Sequence, residues 1–506
     1  MFRIFGPPGT GKTTTLLNMV DEALDSGIHP HKIAFLAFTR KAANEARDRA
    51  AARFKLDPKK DLSYFRTLHS LAMSLSNIRS EQVMQEEHYR ELSETIGVEV
   101  YSSTQVGAFE EDITTVTSNK NPILNVINLA RLRKVDLRDQ YNESTLDAPW
   151  NVVNYVDSSL RAYKENMGLY DFTDMLDEFI RSAPQTCPHF DLCFIDEAQD
   201  LSPLQWDLAH ILDENSTRTY CAGDDDQAIY RWAGADVDHF INLPGGSETL
   251  SQSYRVPRSV HAVAQTVARR INRRFPKVYE PKKEEGQVFH VSGIEYLDMS
   301  EGEWLILSQA GYMLQDAATW LKSSGYLFNY RGSRSIGKKL SDAVNGWETL
   351  RRGHSIPVVL ARQVYAFMSA GTRVKRGFKK LVGLEDDDVV SMSALTETHG
   401  LLADQSMIWS EALDKIPETD RAYVTALLRR GEKFNADPRI SLSTIHGAKG
   451  GEADNVVLYT SLTKAADDDM QRNPDDMHRV FYVGITRTKD TLVLVEPEDA
   501  ARSYYI

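Results

Sequence analysis

The sequence comprises 506 residues, a length that predicts two to four domains rather than one. Hydrophobic residues make up 42% and charged residues 26% of the chain, as in soluble globular proteins, and no apolar run reaches the roughly 20 residues that a membrane-spanning helix needs. The net charge of −13 argues against a protein that coats nucleic acid by bulk attraction, but it permits a local basic track.

The chain begins with a short apolar strand, Met1–Phe5, and a glycine-rich loop follows it at once. The loop reads GPPGTGKT and fits the P-loop pattern, and a helical run through Leu16 and Val20 comes next. Because glycines let backbone N–H groups surround phosphate oxygens at a helix N-terminus, this segment predicts a nucleoside triphosphate site. Lys12 is expected to reach the β- and γ-phosphates, and the Thr13 hydroxyl to ligate Mg²⁺. The residues assigned to the site are Gly6, Pro7, Pro8, Gly9, Thr10, Gly11, Lys12, Thr13 and Thr14.

Short apolar runs alternate with helical patterns along the rest of the chain, which predicts a parallel α/β architecture. A long helix is predicted over Arg258–Phe275, where apolar residues recur at helical spacing. Strands are predicted at Ile33–Phe38, Leu192–Ile195, Thr219–Ala222, Trp304–Leu307, Ile440–Ser443, Val456–Tyr459 and Thr491–Val495.

Two polar stretches interrupt this alternation, and both favour helix over strand. They run from about Glu81 to Asn166 and from about Arg331 to Asp437. The second contains helical patterns at Leu340–Leu350 and Arg421–Arg430, and its acidic cluster Glu385–Asp388 is predicted to be an exposed loop. Strand-like segments resume after each stretch, so both are interpreted as insertions into α/β domains.

A second part of the site is predicted where the apolar run Leu192–Ile195 ends in two carboxylates, Asp196 and Glu197. Ligands bind at the carboxyl ends of strands in a parallel sheet. Asp196 is placed to hold Mg²⁺, and Glu197 to orient and deprotonate an attacking water. An acidic pair after a strand is often only a polar strand end, so this assignment depends on the P-loop that accompanies it.

Three basic stretches are candidates for contact with nucleic acid: Arg131–Lys134, Arg269–Lys277 and Arg373–Lys380. Each is equally compatible with a solvated helix face. The cysteines form no metal-like pair, and Cys193 and Cys221 lie in apolar runs that predict buried strands. Reduced, buried thiols predict a cytoplasmic protein.

Several segments, taken together and in chain order, resemble the motifs of the UvrD/Rep/PcrA branch of superfamily 1 DNA helicases. An ordered series of this kind is more specific than any single pattern, and it covers most of the chain. The segments that carry the resemblance, in addition to the P-loop, are Ala37–Glu45, Thr67–Ser70, Asp171–Leu176, Asp196–Asp200, Gly223–Trp232, Gln252–Arg255, Thr444–Glu452 and Tyr482–Arg487.

The resemblance implies an α/β fold with two RecA-like P-loop domains, each built on a parallel sheet and carrying a mainly helical insertion, with ATP in the cleft between them. The two interruptions described above agree with this organisation. The predicted parts are a first core domain at 1–80 and 167–248, its insertion at 81–166, a second core domain at 249–330 and 438–506, and its insertion at 331–437.

The resemblance also assigns roles to residues around ATP and Mg²⁺. Arg255 and Arg487 match the two arginine fingers of the family, which place positive charge where negative charge spreads in the transition state. Gln227 matches the residue that senses the γ-phosphate. Tyr254 is expected to stack on the nucleotide base, and Glu452 to accept a hydrogen bond from the ribose.

For the nucleic acid, the family stacks bases on aromatic side chains while small polar groups hold the phosphates. Trp232 is the first candidate for a stacking platform because it follows a polar, acidic loop, and Phe38 and Tyr230 come after it. Phe38 is equally compatible with a place in the core. Residues that match family positions at the strand backbone are Thr39, His69, Thr444 and His446.

These observations predict an ATP-dependent DNA helicase and single-strand DNA translocase, with the family's 3′–5′ polarity. Its expected partners are single-stranded DNA and single-strand/double-strand junctions, with single-strand-binding or repair proteins as candidates and no membrane. Three alternatives stay open: a translocase that removes proteins from DNA without processive unwinding, an RNA helicase, and a nucleotide-gated clamp. Only five residues precede Gly6, so the family's upstream adenine-reading segment is missing from this sequence. The sequence resembles a short version of the family, and a phage origin is one interpretation of it.

Overall fold

The computed structural model describes residues 1–38, 40–100, 121–497 and 500–506, and these form an α/β fold. The strands are β1 Phe2–Phe5, β2 Ile33–Ala37, β3 Phe65–Thr67, β4 Phe190–Ile195, β5 Ser216–Gly223, β6 Ser247–Thr249, β7 Gln287–Val291, β8 Trp304–Ser308, β9 Phe328–Tyr330, β10 Ser333–Arg334, β11 Ile356–Pro357, β12 Val389–Val390, β13 Ile440–Thr444, β14 Ala453–Tyr459 and β15 Thr488–Val495. Every strand predicted from the sequence is present.

Helices occupy most of the intervals between these strands. In the described part of the chain they are α1 Lys12–Asp25, α2 Arg40–Phe54, α3 Leu68–Leu75, α4 Glu86–Ile96, α5 Pro122–Arg133, α6 Leu137–Glu143, α7 Trp150–Met167, α8 Phe172–Thr186, α9 Pro203–Glu214, α10 Val237–Asn242, α11 Arg258–Ala268, α12 Gln315–Ser323, α13 Lys338–Arg351, α14 Val358–Ala366, α15 Met392–Glu397, α16 Trp409–Ala412, α17 Glu418–Arg430, α18 Lys464–Arg472 and α19 Pro474–Ile485.

Six strands form a wholly parallel sheet in the order β3-β2-β4-β5-β1-β6. The interior strand β2 reads IAFLA and all five of its residues are buried, as expected for a parallel strand that is covered on both faces. Strand β5 lies between β1 and β4. The carboxyl ends of these three strands therefore lie side by side at one edge of the sheet, and that edge carries the predicted site.

A second sheet is mixed. Its pairs β7–β15 and β14–β15 are parallel, as is β9–β13, whereas β9–β10 is antiparallel. Parallel strands of this kind, linked through helices, are consistent with two RecA-like domains, as the sequence predicts.

The chain divides into two compact units. The first contains residues 1–293, 307–310 and 444–506, and the second contains residues 294–306 and 311–443. Residues 249–293 and 444–506, which the sequence assigns to a second core domain, thus belong to the same compact unit as the P-loop. The assignment of domain boundaries stays a prediction.

Both predicted insertions are mainly helical where they are described. Residues 81–166 contain α4 to α7, and residues 331–437 contain α13 to α17. The helical patterns at 340–350 and 421–430 are confirmed, and residues 385–388 are an exposed loop. The second insertion also contains a short antiparallel pair, β11 and β12, which its polar sequence does not reveal.

The predicted helix over Arg258–Phe275 is wrong in its second half, because α11 ends at Ala268. The ring of Phe275 stacks on that of Phe5 with 3.9 Å between centroids, and the Lys277 side chain is buried among carboxylates. These long-range contacts outweigh the helical spacing of the apolar residues, because they bury a large aromatic ring and pair a buried charge.

Two of the three basic stretches combine buried, paired cations with exposed ones such as Arg269 and Arg273. Arg131 forms ion pairs with Asp171, Asp174 and Asp177, and its side chain is mostly buried. Lys134 pairs with Asp207. Lys277 is buried, as described below, whereas much of the stretch 373–380 is exposed.

The remaining predictions from composition concern membranes and thiols. In the described ranges no helix is both long and apolar enough to cross a bilayer. All three cysteines are free thiols, and Cys193 and Cys221 are buried in strands as predicted.

Candidate active site

The glycine-rich loop connects β1 to α1 at the carboxyl end of the parallel sheet. Gly9 and Gly11 have φ angles of 70° and 78°, which favour glycine. A Cβ atom on Gly6 would lie 1.8 Å from Cγ of Lys12, and one on Gly9 would lie 2.3 Å from Cβ of Arg255. The Lys12 ammonium donates to the Gly6 carbonyl at 2.9 Å, at the start of α1. This loop fits the phosphates of a nucleotide.

The predicted metal ligands lie together. The Thr13 hydroxyl donates to Oδ2 of Asp196 at 2.7 Å, across the ends of β1 and β4. Burial and the neighbouring charge of Glu197 raise the pKa of the Asp196 carboxyl. Among the described residues no group of three or more His, Cys, Asp or Glu is arranged to hold a metal. A hydroxyl and one carboxylate suit Mg²⁺, which commonly takes its other ligands from substrate phosphates and water.

Glu197 follows Asp196 with a left-handed backbone, φ 55°. Its Oε2 accepts a hydrogen bond from Nε2 of Gln199 at 2.6 Å. Its oxygens also lie 3.8 Å from Nζ of Lys12 and 3.7 Å from Nζ of Lys449. Burial acts to raise the pKa of this carboxyl, but the two lysine charges lower it below its usual range. Glu197 is therefore ionised at neutral pH.

Gln227 and Arg487 meet directly. Nη2 of Arg487 donates to Oε1 of Gln227 at 2.7 Å, and Nε2 of Gln227 donates to Oδ2 of Asp224 at 2.6 Å. Arg487 also donates to the carbonyls of Val483 and Gly451. Burial, with a contribution from the nearby charge of Arg255, lowers the pKa of Arg487 to about 9, so its guanidinium is charged at neutral pH.

The residues assigned to the base and ribose line an open cavity of about 480 Å³ beside Gly9 and Gly11. Tyr254 is largely exposed, and its backbone N–H donates to the Gly9 carbonyl at 2.8 Å. Nε of Arg255 donates to Oε2 of Glu452 at 2.5 Å, and Oε1 of Glu452 lies 3.1 Å from Nζ of Lys489. Both oxygens of the predicted ribose acceptor thus have cationic partners.

Four of the predicted nucleic-acid residues form an aromatic cluster, which consists of Phe38, Tyr230, Trp232 and His446. Phe38 stacks on Tyr230 with 5.6 Å between ring centroids, and Trp232 lies edge-on to both Tyr230 and His446 at 6.2 Å. The Tyr230 hydroxyl donates to the His446 carbonyl at 3.3 Å.

The members of this aromatic cluster differ in solvent exposure. Trp232 is 49% exposed, whereas Phe38 and Tyr230 are buried. Both rings are buried in this conformation, as in the core placement that the sequence left open for Phe38. Their assignment as stacking platforms stays a prediction. Burial lowers the pKa of His446 to about 4, which makes its ring neutral.

Of the other three predicted backbone contacts, His69 and Thr444 are described by the structure. His69 lines a separate cavity of about 440 Å³ with Phe38 and several basic residues, and its Nε2 is buried without a hydrogen-bond partner. Burial lowers the pKa of His69 to about 4. The Thr444 hydroxyl accepts from the Gly447 N–H at 3.1 Å, which ties it to its own loop. Thr39 lies outside the described residues.

Comparison with known proteins identifies the family. Residues 2–245 match the model of the UvrD/REP helicase N-terminal domain, and residues 414–498 match that of the UvrD-like helicase C-terminal domain. The chain belongs to the UvrD/REP helicase family. Together the two matches cover well over half of the chain, and both the P-loop and Arg487 fall within them.

Curated relatives of this UvrD-like chain are helicases by name. The chain is 27% identical to the ATP-dependent DNA helicase PcrA of Leuconostoc citreum, over 54% of this chain and 38% of that protein. It is 27% identical to a probable DNA helicase of Mycoplasma pneumoniae, over 54% of each. It is 24% identical to the putative ATP-dependent DNA helicase YjcD of Bacillus subtilis, over 81% of this chain and 55% of that protein. The matches thus span between 38% and 55% of the length of these relatives.

The sequence analysis missed one residue at the centre of this UvrD-like site. Lys449 forms an ion pair with Asp200, donates to the Gln227 carbonyl at 2.9 Å, and places its ammonium 4.8 Å from the centre of the Tyr230 ring. Burial raises the pKa of Asp200 to about 7, although the charge of Lys449 opposes the shift. Lys449 lies inside the segment that resembles a helicase motif, and its position between Gly447 and the pair Gly450-Gly451 was the available signal.

Proposed function

We propose that this chain is an ATP-dependent DNA helicase and single-strand DNA translocase with 3′–5′ polarity. The observation that carries the proposal is the position of Lys449, whose ammonium contacts Glu197 and Gln227 of the nucleotide site and also the Tyr230 ring of the aromatic cluster. A structural change at the nucleotide site or at the aromatic cluster therefore alters the surroundings of the Lys449 ammonium. This arrangement supports coupling between ATP hydrolysis and movement of a strand past Trp232.

In the proposed reaction Lys12 and the loop N–H groups bind the triphosphate, while Thr13 and Asp196 hold Mg²⁺. The metal, when bound, neutralises charge that develops on the phosphate oxygens. Glu197 accepts a proton from the attacking water. In the present arrangement it is a weak base because two lysines stabilise its charge. When Lys12 turns to the phosphates, Glu197 loses one of these partners and its basicity rises.

Arg487 and Arg255 supply positive charge to the transition state, and Gln227 connects Arg487 to the γ-phosphate. Their contacts depend on residues far apart in the sequence, because Arg487 donates to Gln227 and Arg255 packs against Gly9. Small shifts between these segments would separate the groups. Hydrolysis is therefore sensitive to the arrangement of the site, which is the property that a motor requires.

For the nucleic acid, Trp232 is the proposed stacking platform. Its ring lies edge-on to Tyr230, and the Tyr230 ring stacks on Phe38. His446, Thr444, His69 and Thr39 are proposed to contact the strand backbone. The proposed preference for DNA over RNA is based on the relatives, which are named as DNA helicases.

Replacing Trp232 with alanine is expected to weaken binding of a short single-stranded oligonucleotide by about 10-fold, because base stacking on an aromatic ring contributes roughly 1–3 kcal/mol. Basal ATP hydrolysis without DNA should persist. Fluorescence anisotropy with a labelled oligonucleotide measures the first quantity. Tyr155→Ala is the matched control, since Tyr155 is also an aromatic residue at 49% exposure. Equal affinity of Trp232→Ala and the wild-type protein contradicts the stacking role.

The function itself is tested by strand displacement on 3′-tailed and 5′-tailed DNA duplexes with each nucleoside triphosphate. The proposal predicts unwinding of the 3′-tailed duplex with ATP, and ATP hydrolysis that single-stranded DNA stimulates. Removal of a bound protein block without unwinding would favour the stripping translocase. Preference for RNA tails would favour an RNA helicase. Hydrolysis at one rate with and without oligonucleotide, together with no oligonucleotide binding, would rule out a motor.

A further inference from the structure

A buried cluster of charges contacts Gln227 through Asp224. It consists of three consecutive carboxylates, Asp224, Asp225 and Asp226, and one lysine, Lys277. The aspartate side chains are fully buried and the Lys277 side chain is 1% exposed. Nζ of Lys277 lies 3.1 Å from Asp224 Oδ1, 2.6 Å from Asp225 Oδ1 and 2.8 Å from Asp226 Oδ2. One ammonium thus contacts all three carboxylates.

Other groups complete the cluster around its outer members. Arg274 donates to both oxygens of Asp226, with distances of 2.8 Å and 2.5 Å. The Phe275 N–H donates to Asp225 Oδ2 at 2.7 Å. Arg274 therefore remains as a cation beside Asp226 when Lys277 is removed. Among the described residues no second cation lies within ion-pair distance of Asp224 or Asp225, and their other donors are uncharged: the Asp226 N–H, 3.3 Å from Asp224 Oδ1, and Gln227 Nε2 for Asp224, and the Phe275 N–H for Asp225. Of the two carboxylates that depend on Lys277 for a cation, Asp224 is the one whose side chain accepts a hydrogen bond from Gln227.

Burial by itself lowers the pKa of an ammonium, but the three carboxylates raise that of Lys277 well above its usual range. The lysine is therefore charged, and its position is fixed because removing any buried charge from its partners is costly.

Asp224 determines how the Gln227 amide is oriented. Its Oδ2 accepts the hydrogen bond from Gln227 Nε2, and this leaves Oε1 of Gln227 to accept from Arg487. A flipped amide would point an oxygen at the Asp224 carboxylate and an NH₂ group at the Arg487 guanidinium, and neither contact is a hydrogen bond. The acceptor oxygen of Asp224 must therefore stay in place for Gln227 to meet Arg487.

We propose that Lys277 is a positioning residue for ATP hydrolysis: it holds Asp224, and Asp224 holds the Gln227 amide in the orientation that engages Arg487. This inference rests on the proposed function, because Gln227 and Arg487 act in that reaction. Lys277 itself touches neither the loop 6–11 nor the substrate site. The sequence does not reveal this role, because Lys277 belongs to a basic stretch that is equally compatible with a nucleic-acid contact and with a solvated helix face.

The test compares two isosteric variants of neighbouring carboxylates. Asp224→Asn is expected to lower kcat for ATP hydrolysis by about 10-fold or more, with KM for ATP within about 3-fold of the wild-type value, because a charge-assisted hydrogen bond that orients a transition-state group is lost. Asp225→Asn removes the same charge from the same buried cluster but does not contact Gln227, so its kcat should stay within about 3-fold of wild type. A purely structural cluster predicts similar kcat for both.

Lys277→Met is the direct variant, and it is expected to reproduce the loss of kcat at retained KM. Lys277→Arg, which keeps the charge, should recover part of the rate. If Lys277→Met does not fold, the Asp224→Asn and Asp225→Asn pair decides alone, since these variants relieve rather than create excess charge.

The failures are distinguishable. A wild-type chain that does not hydrolyse ATP with single-stranded DNA present contradicts the proposed function. An active wild type whose kcat is equally retained, or equally lost, in Asp224→Asn and Asp225→Asn overturns the inference about Lys277 and leaves the proposed function standing.

Discussion

Replacing Arg487 with alanine is expected to lower kcat for DNA-stimulated ATP hydrolysis by about 10³-fold or more, the range of effect that arginine fingers show. The guanidinium is buried, charged at neutral pH, and hydrogen-bonded to the amide oxygen of Gln227. Its removal takes away positive charge from the point where the γ-phosphate is expected to develop negative charge. Steady-state ATPase assays with saturating oligonucleotide measure the loss.

Two further variants separate charge from geometry in this prediction. Arg487→Lys keeps a positive charge but cannot donate simultaneously to Gln227 and to the carbonyls of Val483 and Gly451, so it should recover little of the rate. Arg258→Ala changes an exposed arginine on α11 and should leave the rate unchanged. Thermal unfolding of each variant checks that it is folded. A folded Arg487→Ala protein with near wild-type kcat would remove Arg487 from the transition state.

Glu197→Gln is expected to bind ATP normally and to hydrolyse it about 10²- to 10⁴-fold more slowly, the contribution typical of a positioned general base. The substitution preserves the shape of the side chain but removes the group that accepts the proton from water. It also removes a carboxylate that pairs with Lys12 and Lys449, so nucleotide affinity should be kept or increased. Single-turnover hydrolysis and binding of a fluorescent ATP analogue measure the two quantities separately.

The control for this variant is Glu214→Gln, which alters an exposed glutamate at the end of α9. Turnover of Glu197→Gln at the wild-type rate would show that another group activates the water. Loss of both binding and turnover would instead assign Glu197 to the architecture of the nucleotide site.

Local patterns in the sequence predicted the secondary structure around the candidate nucleotide site. The strand, glycine loop and helix from Met1 to Asp25 form within one continuous segment, so their conformation depends on nearby residues. The strand that ends at Ile195 and its two carboxylates are equally local. Such short segments can be predicted from the sequence, because the periodicity of buried residues and the backbone conformation of glycine both depend on only a few neighbouring residues.

Predictions about single charged and aromatic residues depended on partners far away in the chain. Arg131 and Lys277 belong to basic stretches that suggest a surface track, yet each is paired with aspartates at least 40 residues away. Tyr230 has the residue type of a stacking platform, but it is buried against Phe38 and His446. No local spacing distinguishes a solvated cation or ring from a paired one.

By itself the sequence determined the α/β class, the phosphate-binding loop, the acidic pair at the end of β4 and membership of the UvrD-like family, since these rest on short segments and on their order. Only the tertiary structure showed that the Lys449 ammonium contacts both Glu197 and the Tyr230 ring. It also showed that Lys277 forms ion pairs with Asp224, Asp225 and Asp226, and that α11 ends at Ala268. The physical reason is that a buried charge takes whichever partner the fold brings within hydrogen-bonding distance, and that partner can lie hundreds of residues away.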